Sequence, residues 1–415
     1  MADHDTAPDA TGQRMNTREA AERLGVKPET VYAYVSRGQL TSHREPGGRG
    51  STFDAKEVEA LARRNGRREL FGGDGELAVR TGITLTDRDH CYFRGVDTEE
   101  LAAHYSYEEV AEWLWTGELR RGTHFTAPYD ALSAARRAVQ ALPAHCGPMD
   151  RLQVAVIASA AADPLRFDLS EGAVLATARS LIPTLVGALP TKSSSQQNAD
   201  ALAPRLWCRL ASEPADTAAL RVLDAALVLL IDHDLAASTL AVRVAASARA
   251  HPYAIVSAGF GALDGALHGA ASGLAHRMLL EVLERGSATA VVADHLRAGR
   301  RVPGLGHRLY PGEDPRARAL FGLLADVPTA QPALQAARRV ITTTARHTEL
   351  HANVDLALAV LTVAAGMPPE AGETIFAIAR TAGWIAHALE EYGERPLRMR
   401  PSGHYQGPRP PQPLP

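Results

Sequence analysis

The residues best suited to chemistry lie in one short stretch, residues 302–318, with the sequence VPGLGHRLYPGEDPRAR. Gly304 and Gly306 allow the backbone to approach a ligand closely, because glycine has no side chain and tolerates positive φ. His307 can donate a hydrogen bond or exchange a proton near neutral pH. Arg316 has a planar guanidinium that matches a carboxylate. Taken alone, the stretch could equally be a helix boundary with a solvated basic patch.

Three other segments contain residues that suit acid–base chemistry or carboxylate binding. They have the sequences DHDLAAST (232–239), GALDGALHGAAS (261–272) and HANVDLALAV (351–360). A lone histidine in a helical protein is more often a cap or a satisfied core residue than a catalyst. Asp355, two residues after Asn353, could simply begin a helix. No segment taken singly therefore establishes a catalytic site.

Composition indicates a globular protein with a large core, since the chain has 415 residues and 46% of them are hydrophobic. That length allows two or three domains. A formal net charge of -3 argues against a basic nucleic-acid coat and an acidic tail protein. Cys91, Cys146 and Cys208 are odd in number and lack metal-ligand spacing, so neither a disulfide framework nor a zinc site is expected. We find no signal-peptide pattern and no membrane-spanning apolar run, and therefore expect a cytoplasmic protein.

Residues 14–65 have the pattern of a helix-turn-helix followed by a hairpin. Asn16 or Thr17 can cap a first helix, and Pro28 sits near the first turn of a second. A Gly-rich segment, REPGGRGSTF, then suggests a hairpin before a further short helix. Residues 13–68 contain twelve Lys or Arg and seven Asp or Glu, a local charge of +5 that suits phosphate contacts.

Two stretches of this region, TREAAERLGVKPETVYAYVSRGQL and STFDAKEVEALARR, resemble the MerR-type or excisionase-type winged DNA-binding module. In that family the second helix enters the major groove and the hairpin forms a wing. The residues that the resemblance places against DNA are Lys27, Thr30, Tyr32, Arg37, Arg44 and Arg49. A vestigial module, or one that docks a protein, is the alternative.

The rest of the chain has a mostly helical pattern. Residues 66–76 are rich in glycine and charge and are expected to form a linker. A short β-like stretch, LAVRTGITLTDRDHCYFRGVD, follows, and from residue 99 onward nearly every segment has apolar residues three or four apart. Residues 1–13 are expected to be disordered, and the proline-rich residues 408–415 to form an extended tail.

The segments with acid–base residues, in their order along the chain, resemble the citrate synthase family. The matching motifs are HCGPMDRLQVAV, LLIDHDLAAST, GALHGAA, PGLGHRLYPGEDPRA, NVDLALA and IFAIARTAGWIAHALEEYGERPLRMRPSGHYQG. The match covers most of the chain after the linker and is specific, because several independent motifs agree. It implies an all-α, two-lobed fold and an acyltransferase that condenses acetyl-CoA with oxaloacetate to citrate and free coenzyme A.

The resemblance also implies a role for each reactive residue. Asp355 matches the base that removes a proton from the thioester methyl, and His268 matches the donor to the enolate oxygen. His307 matches the donor to the ketone oxygen, and His233 a second contact to the same substrate. The arginines that match the clamp on the two carboxylates are Arg316, Arg380 and Arg400. The residues expected to contact coenzyme A are Gly304, Leu305, Gly306 and Arg308. No metal or tightly bound cofactor is implied.

In the family, the last arginine of the clamp comes from the other subunit. The resemblance therefore implies a homodimer or larger assembly in which Arg400 completes the neighbouring site. The sequence RPSGHYQG, which begins at Arg400, resembles the Arg-Pro ending of bacterial members before Tyr-x-Gly. Arg395 also precedes a proline and is an alternative, whereas Arg398 fits least.

The expected large lobe comprises residues 77–269 and 367–407, and the small lobe residues 270–366. Closure of one lobe on the other would bring Asp355 and His307 onto the substrates and exclude water. Three positions depart from the family pattern, namely Ala236, where members often have Asn, and Ala266 and Ala270, where they often have Pro and Gly. The change at Ala236 bears on substrate choice. The changes at Ala266 and Ala270 bear on the loop that positions His268.

Two alternative functions follow from the same residues. One is 2-methylcitrate synthase, which uses propionyl-CoA in place of acetyl-CoA. The other is a DNA-binding regulator whose synthase-like part only senses a metabolite. A sensor does not need a carbon-acid base, so the presence of Asp355 with both histidines and the arginines favours an enzyme.

Overall fold

The structure is a computed structural model that describes residues 14–24, 26–36, 39–44, 51–58, 61, 79–195, 199–265, 268–269, 271–401 and 405–412. It divides into two compact units, Met1–Arg80 and Thr81–Pro415, and each is considered by itself. The following predictions lie outside the described residues: the disordered segment 1–13, the linker 66–76, Arg37, Arg49, Ala266 and Ala270. The expected boundaries between domains and lobes stay predictions.

The described part of the first unit contains two helices, further helical residues at 55–58 and 61, and a three-stranded antiparallel sheet. In chain order these are β1 (Arg14–Asn16), α1 (Thr17–Leu24), α2 (Pro28–Ser36), β2 (Ser42–Arg44) and β3 (Ser51–Asp54), with sheet order β1-β3-β2. Asn16 caps α1, because its Oδ1 accepts from the amides of Arg18 and Glu19. The small core consists of Ala20, Ala21, Leu24, Val31, Leu40, Phe53, Val58 and Leu61. The predicted helix pair and hairpin strands are therefore present.

The second unit begins with a small sheet and continues as a helical assembly. Its strands, paired antiparallel in chain order, are β4 (Thr84–Asp87), β5 (His90–Phe93) and β6 (Val96–Asp97). Its helices are α3 (Thr98–His104), α4 (Tyr107–Thr116), α5 (Tyr129–Gln140), α6 (Pro148–Ala162), α7 (Glu171–Ala188), α8 (Leu202–Leu210), α9 (Thr217–Leu229), α10 (Ala237–Ser247), α11 (Pro252–Leu263), α12 (Ala271–Arg285), α13 (Ala288–Arg297), α14 (Pro315–Leu324), α15 (Gln331–Thr344), α16 (Val354–Ala364) and α17 (Ala371–Gly393). A short 3-10 turn, Pro328–Ala330, precedes α15. The predicted all-α class is confirmed, with the strands in the β-like stretch. In the part of the chain that the structure describes, no helix is both long and apolar enough to cross a membrane.

Helix α17 organises the centre of the second unit. It packs against α4, α7, α9, α10 and α11. A Cβ at Gly383 would lie 2.1 Å from the carbonyl oxygen of Ile231, so only glycine lets the segment after α9 lie against the helix. Arg380 and His387 lie one turn on either side of Gly383 and therefore face the same segment. This close approach brings the Leu230 carbonyl to Arg380 and the Asp232 carboxylate to His387.

Candidate active site

A glycine loop is tied to the start of α16, the helix that carries Asp355. The φ angles of Gly304 and Gly306 are 78° and 83°, and a Cβ at Gly304 would lie 2.7 Å from the Cβ of Leu356. Asn353 donates from its backbone amide to the Gly304 carbonyl at 3.0 Å and from its side chain to the Gly306 carbonyl at 2.9 Å. Since Asn353 also caps α16, the loop and the start of this helix form one assembly.

The same loop bears the residues expected to contact coenzyme A. The Gly306 amide donates to the carbonyl of His351 at 2.7 Å, and Leu305 pairs with Ala352 in an isolated bridge. The Gly306 amide is therefore already used within the protein. Arg308 is exposed, and its contact with a thioester carrier stays a prediction.

Arg316 is paired with an internal carboxylate. Helix α14 begins at Pro315, and Asp314 caps it by accepting from the Arg316 amide at 3.1 Å. The carboxylate of Asp314 also accepts from Nε of Arg316 at 3.0 Å and from Nη2 at 2.8 Å. A further hydrogen bond, 3.0 Å from the Val354 amide, ties Asp314 to α16. Asp314 thus fixes both a clamp arginine and the helix of the expected base.

His307 is held as a neutral donor. The Leu309 amide donates to its Nδ1 at 3.1 Å, so in the neutral ring the proton lies on Nε2. A second contact, 3.5 Å from Arg316 Nη2 to Nε2, is longer and joins two donors. Burial, and then the charge of Arg316, lower the pKa of His307 to about 4. At neutral pH this ring can therefore donate a hydrogen bond through Nε2 without carrying a charge.

His233 completes an aromatic group with His307 and Tyr310. The hydroxyl of Tyr310 lies 2.8 Å from His233 Nε2, and the two histidine rings lie 5.0 Å apart, edge to face. Burial, and then Arg316, hold the pKa of His233 well below its usual range. Both histidines are consequently neutral at pH 7, and the Nε2–H of His307 remains available to an oxygen of a ligand.

Arg380 is a buried guanidinium with an open donor. It is 1% exposed, and its Nε donates to the carbonyl of Leu230 at 2.9 Å. Its Nη2 is buried and has no hydrogen-bond partner among the described residues. Burial lowers the pKa of Arg380 to about 10, although Asp232 opposes the shift. Such an arginine is charged at neutral pH, and an unpaired buried donor is costly, so the site is suited to an anion.

His268 and Arg380 both lie close to the ring of Phe376. The Phe376 ring lies 4.4 Å from the guanidinium carbon of Arg380 and 6.0 Å from the His268 ring. His268 Nε2 lies 2.8 Å from the hydroxyl of Ser238. Burial, and then the charge of Arg380, lower the pKa of His268, so this ring is also a neutral donor.

Asp355 has the properties of a base held ready for use. It lies in the first turn of α16 and is partly buried. None of the described residues donates a hydrogen bond to its carboxylate or forms an ion pair with it. Burial raises the pKa of Asp355 to about 6; Arg316 opposes this shift and Asp314 adds to it. The carboxylate is therefore mostly ionised at pH 7 and more basic than an exposed aspartate.

The structure brings six of the predicted residues into one cluster, namely His233, His268, His307, Arg316, Asp355 and Arg380. Sequence reasoning missed Tyr310, Asp314 and Ser238. Of these, Asp314 had a signal in the sequence, since Asp before Pro is typical of a helix cap. Among the described residues, no group of three or more His, Cys, Asp or Glu is placed to hold a metal ion.

Arg400 is not part of this cluster. It is exposed, its amide donates to the carbonyl of Leu397 at 3.2 Å, and none of the described residues pairs with its side chain. Arg398, by contrast, is bound to both oxygens of Glu391 at 2.8 and 2.6 Å. Of these two arginines, only Arg400 has a guanidinium open to a partner.

Comparison with known proteins establishes the family. Residues 72–402 match the family model described as citrate synthase, C-terminal domain, and residues 14–66 match a helix-turn-helix domain. The chain therefore belongs to the citrate synthase family and is an enzyme of the acyltransferase type. The family, the all-α class and the helix-turn-helix domain predicted from the sequence are thus confirmed.

Relatives and solved structures agree with this placement. The citrate synthase of Haloferax volcanii is 31% identical over 362 residues, which cover 81% of this chain and 95% of the relative. The citrate synthase of Acidithiobacillus ferridurans is 29% identical over 368 residues, with coverage of 81% and 95%. The crystal structure of citrate synthase from Thermotoga maritima superposes with a TM-score of 0.65 at 25% identity, covering 84% of this chain and 98% of that one.

Proposed function

We propose that the enzyme condenses acetyl-CoA with oxaloacetate to give citrate and free coenzyme A. The observation that carries the proposal is the buried, unpaired Nη2 of Arg380, which lies in a cluster with three neutral histidines and a carboxylate base. A dicarboxylic keto acid matches this set, because it offers a carboxylate to the arginine and a ketone oxygen to a neutral donor. A solved ternary complex of the Thermoplasma acidophilum citrate synthase, which has a similar fold (TM-score 0.67), holds carboxymethyl coenzyme A and oxaloacetate.

Each step of the reaction uses a residue in the state described above. Asp355 takes a proton from the thioester methyl, while neutral His268 donates to the enolate oxygen that forms. The methyl carbon then bonds to the ketone carbon of oxaloacetate, and Nε2–H of His307 donates to the alkoxide. Water finally cleaves the thioester of the condensed product, which releases citrate and the coenzyme A thiol.

Thiol release measured with and without oxaloacetate tests the proposal. Asp355→Asn should lower kcat severely and leave oxaloacetate binding nearly intact, because the amide cannot accept the methyl proton. Asp326→Asn is the matched control, since Asp326 is an exposed aspartate with no assigned role. Wild-type turnover in Asp355→Asn would remove that residue from its assigned role. Absence of turnover in the wild-type enzyme across acyl-CoA and keto-acid pairs would favour a metabolite sensor.

The preference between acyl-CoA substrates is tested by the same assay with a second thioester. Propionyl-CoA differs from acetyl-CoA by one methylene, which a pocket discriminates by about 1–3 kcal/mol. The proposal expects a higher kcat/KM with acetyl-CoA. A higher value with propionyl-CoA would identify a 2-methylcitrate synthase instead. Ala236, which ends up as the uncapped N-cap of α10, is the first position to vary if the keto acid proves different.

DNA binding by the first unit is a second candidate function, favoured by the helix-turn-helix match. Lys27 precedes α2 and is exposed, and the ring of Tyr32 on α2 is 48% exposed. Lys27→Ala should weaken binding of the full chain to duplex DNA and lower its salt dependence by about one counterion. Lys56→Ala removes an equal charge from another exposed site in the same unit and serves as the control. If the two substitutions weaken DNA binding equally, the binding is nonspecific charge attraction and the role of Lys27 is refuted.

A further inference from the structure

Asp232 and His387 have no step in the proposed reaction, yet both side chains are fully buried. The carboxylate oxygen Oδ2 of Asp232 accepts from the hydroxyl of Thr84 at 2.6 Å and from His387 Nε2 at 3.1 Å. Its other oxygen, Oδ1, is buried without a hydrogen-bond partner among the described residues. Burial alone would raise the pKa of Asp232, but His387 and Arg380 lower it overall, so the group is an anion.

His387 can donate to Asp232 because Arg243 fixes its tautomer. Nη1 of Arg243 lies 2.9 Å from Nδ1 of His387, and a guanidinium can only donate. Nδ1 therefore accepts, and the ring proton lies on Nε2, where it points at Asp232. Arg243 is itself held by Glu390 at 2.7 Å and by Glu391 at 3.2 Å. His387, the donor to Asp232, is therefore fixed by Arg243, which two glutamates hold in turn.

The anion lies near Arg380 but does not pair with it directly. No ion pair or hydrogen bond joins Asp232 to Arg380 in the described chain, although their charges affect each other. Asp314 and Arg316 differ in this respect, because the Asp314 carboxylate accepts hydrogen bonds from two guanidinium nitrogens of Arg316. A direct two-point Arg–carboxylate pair is favourable, so a substrate carboxylate at Arg380 would have to compete with it.

We propose that Thr84 and His387 hold the Asp232 carboxylate in an orientation that balances the charge of Arg380 without taking its Nη2, and that they are positioning residues for oxaloacetate. The proposal rests on the proposed function in assigning Arg380 to a substrate carboxylate. Loss of either hydrogen bond frees Asp232 to turn toward Arg380, where it competes with the substrate. The small sheet gains a role by this inference, since β4 delivers Thr84 to the site.

Two isosteric substitutions on the same strand test the proposal. Thr84→Val removes a hydrogen bond to Asp232, whereas Thr86→Val, two residues along β4, removes a hydroxyl with no partner. In the full-length enzyme, Thr84→Val should raise KM for oxaloacetate about tenfold, equivalent to about 1.4 kcal/mol, and leave KM for the thioester unchanged. Thr86→Val should leave both KM values within about twofold of the wild type.

His387 gives a second, independent pair of variants. His387→Leu should raise KM for oxaloacetate at least as much as Thr84→Val. His387→Gln should restore it in part, because a glutamine amide can both accept from Arg243 and donate to Asp232. Thermal unfolding of each variant separates lost folding from lost positioning, and if His387→Leu does not fold, Thr84→Val decides the question.

Calorimetric binding of oxaloacetate separates this inference from the proposed reaction. A wild-type enzyme that binds oxaloacetate without turnover would count against the condensation, while the Thr84 comparison could still be made on Kd. Unchanged oxaloacetate binding in Thr84→Val and His387→Leu, with folding intact, would overturn the positioning role. Equal losses for oxaloacetate and the thioester would also overturn it, because they indicate a general structural effect.

Discussion

The raised pKa of Asp355 predicts how turnover depends on pH. A base must be ionised to accept a proton, and burial raises the pKa of this carboxyl to about 6. The ionised fraction then falls about tenfold between pH 7 and pH 5. We therefore expect kcat/KM for the thioester, at saturating oxaloacetate, to fall about tenfold over the same interval, with one midpoint near pH 6.

Three other groups have pKa values away from 6 and serve to check the assignment. The pKa of His307 is lowered to about 4, so loss of neutral His307 would place the midpoint near that pH instead. Two carboxyls outside the site, those of buried Glu108 and partly buried Asp224, have pKa values raised to about 7 by desolvation. Glu108→Gln is therefore the control, and the midpoint near pH 6 should persist in that variant.

The assay follows the loss of thioester absorbance from pH 5 to pH 9, because this signal does not depend on thiol ionisation. Thermal unfolding at each pH confirms that the protein stays folded. A rate that is flat to pH 5 would refute the role of Asp355 as a base with a raised pKa. If the midpoint moves in Glu108→Gln, the fall in rate at low pH depends on a carboxyl outside the site and not on Asp355.

Two other predictions concern stability and assembly. Burial raises the folded-state pKa of Glu108 to about 7 from its ordinary value of 4.5. Its neutral form therefore stabilises the fold below pH 4.5, and this stability is lost as the pH rises through 7. Glu108→Gln should therefore flatten the decline and be more stable than the wild type at pH 8, by at most about 3 kcal/mol; a steeper decline in urea unfolding would contradict this. Mixing two inactive variants, Asp355→Asn and Arg400→Gln, should restore about a quarter of wild-type turnover if random dimers exchange Arg400 between subunits. No recovery after verified subunit exchange would place Arg400 outside the neighbouring site.

Local sequence signals are sufficient to predict the helical class. One compact motif, residues 302–318, is sufficient to predict most of the glycine loop. In residues 302–318, Gly304 and Gly306 form a tight loop with positive φ, as their lack of a side chain suggested. The last residues of the motif, however, begin α14, because Asp314 caps the helix and Pro315 occupies its first position. The Asp-Pro pair already contained that signal. The packing of Gly383 against Ile231 had no such local signal, because it depends on two segments far apart in the chain.

The identities of the site residues could be predicted, but their pairing could not. The sequence placed Arg316 and Arg380 in the same role, since both matched a carboxylate clamp. In the structure Arg316 is bound by Asp314, whereas Nη2 of Arg380 is open. The difference depends on which carboxylate each guanidinium reaches, and that is set by the packing of α14 against α16 and of α17 against the segment after α9.

The charges of the cluster give a physical reason for the predicted contribution of Arg400 from a second subunit. Asp314 and Asp232 balance Arg316 and Arg380, and the two central histidines are neutral because their pKa values are lowered. Asp355 adds a negative charge above pH 6. Oxaloacetate, a dianion, would therefore enter a site whose own chain offers no surplus positive charge, and like charges 4 Å apart cost roughly 4 kcal/mol at an effective dielectric constant of 20. An added arginine would offset that cost, and Arg400, exposed and without a side-chain partner among the described residues, stays the predicted source of it.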